Sequence, residues 1–83
     1  MTYGIIFSDR ALKQLKKLEK NVQERIISTL ERIKIRPQAH VTKLVGDPGY
    51  RLRVGDYRVI LDIDEGNLVI LVIKIGHRKK TYK

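Results

Sequence analysis

The run LVILVIKI at residues 68–75 constrains the fold more than any other stretch, because it is aliphatic apart from Lys74. Successive side chains of a strand point to opposite faces, so a strand with this sequence is apolar on both. It belongs inside a sheet, with hydrogen-bonded neighbours along both edges. The rest of the chain has to supply those neighbours and a layer to cover them. With 83 residues there is room for one domain, spanning residues 1–83. Its single small core would bury roughly 60–65 % of the unfolded surface.

Three further segments read as strands. Tyr3 to Phe7 is a short apolar run, and Tyr50 to Val54 is separated from Tyr57 to Ile63 by Gly55-Asp56. That pair is a two-residue hairpin loop in which glycine supplies positive φ. Glu65-Gly66-Asn67 makes a second reversal into the apolar strand. Between the first strand and the others lie two helical segments. Ser8 or Asp9 caps the first, which runs to about Lys20 with Ala11, Leu12, Leu15 and Leu18 on one stripe. Asn21 marks the break. Val22, Ile26, Ile27, Leu30 and Ile33 then recur at helical spacing to about Arg36, where Pro37 stops the helix by steric clash. Gln38 to Gly49 is a connector rich in turn residues. The expectation is an α+β fold in the order β-α-α-β-β-β. It consists of a single twisted, mainly antiparallel sheet with a helical hairpin packed on one face and the first strand beside the last.

Charge then narrows the partners. Eighteen Lys and Arg against nine Asp and Glu leave a formal +9, which points to a polyanion. A membrane surface usually requires a basic amphipathic helix with large exposed apolar groups, or a lipidation signal, and neither is evident. The run YGIIF is too short for a signal peptide, and the uncharged stretch from Leu68 to Ile73 is far short of a membrane span. The chain contains no cysteine, which excludes disulfides, thiolate catalysis and cysteine-ligated zinc and fits a reducing cytoplasm.

Arginine placement makes the polyanion specific. Strand alternation points Tyr50, Leu52 and Val54 toward the helices and Arg51 and Arg53 away from them. With a two-residue loop at Gly55-Asp56, Arg53 stands opposite Arg58, so Arg51, Arg53 and Arg58 share one open face. Opposed like charges destabilise such a ribbon by a few tenths to about 1 kcal/mol. A phosphodiester offsets that repulsion, because the guanidinium fork matches two phosphate oxygens and stays charged. A solvated row protecting a strand edge is the plainer reading. The use of arginine three times, with no lysine, favours phosphate. Arg10, Lys13, Lys16, Lys17 and Lys20 on the first helix are dispersed instead, as on a solvated face with nonspecific attraction for anions.

The ending GHRKKTYK, residues 76–83, brings more cations and Tyr82 to the end of the central strand. Tyr82 can stack on an unpaired base or transfer a proton. Other groupings carry less. His40 has no ligand spacing around it, and the acids Asp62, Asp64 and Glu65 fit turn chemistry and charge balance better than a metal nuclease. No metal or cofactor is expected, and there is no phosphate-binding glycine loop, dinucleotide fingerprint or Ser-His-Asp set.

YRLRVGDYRVILDI followed by VIKIGHRKKTY, in this element order, resembles the RelE/ParE toxin superfamily, and within it the RelE-like messenger RNA interferases. The resemblance covers essentially the entire chain. Its most specific parts are the arginine ribbon, the Tyr57-Arg58 pair, and the ending formed by Gly76, Arg78 and Tyr82. It implies a toxin that enters the A site of a translating ribosome, among ribosomal RNA, and cuts the messenger RNA there. A cognate antitoxin would hold it inactive. Carried over by position, the resemblance implies that Arg58 holds the scissile phosphate. Arg51 and Arg53 match basic strand positions, and Arg78 and Tyr82 match the basic and aromatic catalytic positions. The implied reaction is attack by the substrate's own 2′-OH, without a metal. Some relatives carry lysines where Arg51 and Arg53 stand, and an arginine cannot exchange protons at neutral pH. Acid and base work then falls to Tyr82, His77, a ribosomal or messenger group, or solvent; Tyr82 is the favoured base, and His77 takes a structural or RNA-contact role. Two alternatives remain open: a ParE-like inhibitor of DNA gyrase on the same scaffold, and a noncatalytic RNA-binding module.

Overall fold

The computed structural model describes residues 2–77. Val69–His77, which holds most of the doubly apolar run, lies inside a five-stranded sheet. In chain order the elements are β1 (Gly4–Phe7), α1 (Asp9–Lys16), α2 (Lys20–Arg32), a 3-10 turn (Pro37–Ala39), β2 (Thr42–Lys43), β3 (Tyr50–Val54), β4 (Tyr57–Asp64) and β5 (Val69–His77). The sheet order is β1-β5-β4-β3-β2. β1 runs parallel to β5, and every other pairing is antiparallel.

Ser8 begins α1 as expected, its hydroxyl accepting the Ala11 N–H at 3.0 Å. The break falls at Leu18-Glu19 rather than Asn21, so α1 is shorter than the sequence suggests and Asn21 lies inside α2. Gln23 explains the early stop, because its Nε2 donates to the Leu18 carbonyl at 2.8 Å and ties the turn to the next helix. Similarly, α2 ends before Pro37. The Lys34 carbonyl accepts the Tyr3 N–H at 2.9 Å, which anchors the chain after α2 to the residue before β1. The connector contains structure that its composition conceals. Thr42 and Lys43 pair with Arg51 and Tyr50 as a short edge strand, and Leu44 N–H donates to the Gly49 carbonyl.

The core forms between the helices and one sheet face. Ala11, Leu15, Ile26, Leu30 and Ile33 meet Leu52, Val54, Val59, Leu61, Ile70, Val72 and Ile75. Each fully buried large aliphatic contributes roughly 1.5–3 kcal/mol of transfer free energy. The β4/β5 ladder shifts between Ile60 and Leu61: Leu61 faces Val72 whereas Ile60 faces Lys74, so Ile73 is an extra residue, a β-bulge. The bulge inverts the alternation of β5. Ile70 and Val72 point into the core before it, and Ile75 does so after it, while Lys74 and Gly76 face away from the helices.

Candidate functional site

The β3/β4 hairpin closes through Gly55 at φ 59 and Asp56, with Val54 paired to Tyr57. Positive φ at the first of two loop residues is the type II′ form that suits strand twist. This loop sets the register in which Arg53 faces Arg58 and Arg51 faces Ile60. Leu52 and Val54 belong to the core, so alternation places Arg51, Arg53 and Arg58 together on the face turned away from the helices. The three do not share one environment. Arg53 is exposed and Arg51 half-buried, whereas Arg58 is only 3 % exposed. A fully open position for Arg58 is therefore corrected. It lies on an interior strand, between Arg53 on β3 and Gly76 on β5, with Ile60 and Lys74 next along the same face. Gly76 places no side chain beside the guanidinium.

Asp62 also lies on this face, but its carboxylate accepts the Ile63 N–H at 2.9 Å. Among the described residues no three His, Cys, Asp or Glu side chains gather as a metal ion would require. Asp64 belongs to the far turn, where Asn67 donates to it from its side chain at 2.8 Å and its backbone at 3.1 Å. Those bonds favour the carboxylate and hold its pKa below the ordinary value.

The helix side of the same sheet end carries a second group of residues. Tyr57 and His77 are cross-strand partners, and their rings meet edge to face with centroids 5.4 Å apart. They line a cleft of about 410 Å³ with Gln14, Lys17, Leu18 and Ile75. Two side chains, one at the N-cap of α1 and one within the helix, fix β5 here. Ser8 Oγ donates to the Ile73 carbonyl at 2.7 Å, and Gln14 Oε1 accepts the Ile75 N–H at 2.7 Å. Beyond Phe7 the β1 strand has ended, so these bonds continue the ladder by other means. Arg25 of α2 reaches the turn from the same side, its guanidinium nitrogen 3.0 Å from where a Cβ on Gly55 would stand.

Sequence reasoning gave Lys17 only a solvated face with nonspecific attraction for anions and passed over Gln14 and Arg25, because each reads as one more polar position on an amphipathic helix. Nothing local distinguishes them from their neighbours. His77 stands on the opposite face from Arg58, because the bulge at Ile73 shifts the alternation of β5 and pairs His77 with Tyr57. Arg78 and Tyr82 lie outside the described residues.

Residues 5–82 match the family model described as the ParE toxin of type II toxin-antitoxin systems, parDE. The chain belongs to this toxin family. It is 31% identical over 84 residues to the mRNA interferase toxin RelE of Escherichia coli, covering 98% of this chain and 88% of that protein. The isolated E. coli RelE toxin superposes with a TM-score of 0.80 at 29% identity, covering 96% of this chain and 90% of that one. The archaeal RelE-RelB complex from Pyrococcus horikoshii superposes at 0.79 and 28% identity, covering 96% and 99%. The toxin thus has the RelE fold: two helices on a five-stranded mixed, open sheet.

Proposed function

We propose that this toxin, acting as one domain in the cytoplasm, cleaves messenger RNA in the ribosomal A site and is neutralised by a cognate antitoxin of the RelB kind. The observation that carries this reading is the cross-strand pairing of Arg53 with Arg58, with Arg51 on the same face. Pairing two cations across adjacent strands costs stability, and guanidinium forks on one face can share the oxygens of a phosphodiester, which offsets that cost. The 31% identity to a named mRNA interferase and the RelB-bound form of a structural relative support the same assignment.

In the proposed reaction the nucleotide's 2′-OH gives its proton to a base and its oxygen bonds to the adjacent phosphorus. The bond from phosphorus to the 5′-oxygen breaks, and that oxygen takes up a proton. The products are a cyclic phosphate and a free 5′-OH, with no metal in the scheme. Arg58 holds the scissile phosphate, and Arg51, Arg53 and Arg78 neutralise charge that grows in the transition state. Tyr82 is the proposed base. His77 is the weaker choice because its ring is packed on Tyr57, across the sheet from Arg58. Since arginines cannot exchange protons here, ribosomal RNA, the messenger or solvent completes the acid and base work.

Primer extension on messages in a purified translating system tests this directly. Cuts within the A-site codon are expected, and Arg58→Ala and Tyr82→Phe should each reduce them by about 100-fold or more. Intact message together with blocked gyrase supercoiling would instead establish a gyrase inhibitor. Binding of RNA with neither activity would establish a noncatalytic module.

A further inference from the structure

Tyr57 and Arg58 are consecutive on β4, yet they serve opposite faces of the sheet at the same end. Arg58 faces away from the helices beside Arg53 and Gly76. Tyr57 faces the helices, where its ring meets His77 above the cleft that Lys17 and Leu18 also line. Arg25 reaches the adjoining turn at Gly55 and, among the described residues, forms no ion pair. The described lining of the cleft contains no carboxylate. It thus joins an aromatic and aliphatic floor to a cationic border, the pairing that holds single-stranded nucleic acid through base stacking and phosphate attraction. Its volume of about 410 Å³ lies within the roughly 300–1,000 Å³ range of small-molecule sites.

We propose that this helix-side cleft is a base-binding subsite for a nucleotide flanking the scissile phosphate. The base stacks on Tyr57 beside His77, and Lys17 and Arg25 meet the neighbouring phosphates. The RNA strand bends around the sheet end, past Gly76, which offers no side chain to obstruct it. The inference rests on the nuclease reading and adds to it a subsite on the other face from the arginines. Two-sided engagement would make the toxin read a nucleotide while its arginines hold the backbone.

The test uses programmed ribosomes whose messenger carries a 2′-deoxy sugar at the cut position, so that binding is measured without cleavage. Abasic nucleotides are introduced one position at a time. With the wild-type toxin, one flanking abasic position should weaken binding by about 5- to 150-fold, the range for losing one base-aromatic stack. Tyr57→Leu should abolish that penalty, whereas Tyr57→Phe, which keeps the ring, should retain it. Lys17→Ala and Arg25→Ala should each make the slope of log affinity against log salt less negative by about 0.7. An abasic scan without any penalty, or a penalty equally present in Tyr57→Leu, overturns the subsite. So does equal loss in Tyr57→Leu and Tyr57→Phe. Cleavage of unmodified message is measured in parallel. Cleavage with a flat abasic scan sinks the subsite alone, and uncut message sinks the nuclease reading with it.

Discussion

Replacing Gln14 tests how the end of β5, and with it the arginine site, is held. From Ile73 onward β5 has β4 along one edge, while β1 has already stopped at Phe7 on the other. Gln14 Oε1 accepts the partly buried Ile75 N–H at 2.7 Å, in place of a strand neighbour. Gln14→Leu preserves much of the side-chain bulk but orphans that donor, which costs about 1–2 kcal/mol for a partly buried group. In a domain of this size each kcal/mol moves the melting temperature by about 4–8 °C, so a fall of about 4–16 °C is expected. Gln14→Glu separates the acceptor from the residue. Its carboxylate can accept the same N–H, which lowers its folded-state pKa. The resulting stabilisation is present above the unfolded value near 4.3 and is lost as pH falls through the lowered folded value. Gln14→Glu should therefore melt near the wild type at about pH 7 and fall toward Gln14→Leu at about pH 2, whereas Gln14→Leu should be less stable at both. Thermal melts at the two pH values, with hydrogen exchange at the Ile75 amide, provide the measurement. A Gln14→Leu protein that melts within about 2 °C of wild type, with Ile75 protection intact, would refute the reasoning.

Arg53→Gln removes one of two opposed cations, so denaturant titration should show a gain of a few tenths to about 1 kcal/mol, while message cleavage slows; a loss of stability would contradict the repulsion argument. Gly49 sits at φ 110 with its would-be Cβ 3.2 Å from the Leu61 carbonyl, whereas Gly46 at φ 81 has nothing within 4 Å. Gly49→Ala should therefore cost more than Gly46→Ala, which bears only the roughly 1–2 kcal/mol of left-handed backbone strain; equal melting temperatures would exclude the close approach. The Asn67 hydrogen bonds to Asp64 lower its folded pKa from 3.8, so their contribution is present above the unfolded value and lost as pH falls through the folded one. Asp64→Asn should lie below wild type near neutral pH and converge with it in strong acid, and a constant gap across that pH range would count against this account.

Much of the architecture was legible in the chain. Residues 68–75, apolar on both faces, required an interior strand. Gly55-Asp56 set a hairpin register that brings Arg53 opposite Arg58, and Ser8 announced a helix start, because each of these features acts through nearest neighbours along the chain or across one tight turn. Helix ends were less legible, since Gln23 and the backbone at Lys34 make bonds that helical spacing alone cannot reveal. The deeper limit lies in the apolar strand itself. A run apolar on both faces carries no alternation from which to read a phase, so the bulge at Ile73 left no periodic signal. Only pairing with β4 decided where the extra residue would sit. That choice turned Ile75 into the core, set Gly76 opposite Arg58 and placed His77 against Tyr57. Strand chemistry was local, but the face on which each residue of the site stands depended on a contact between separate strands.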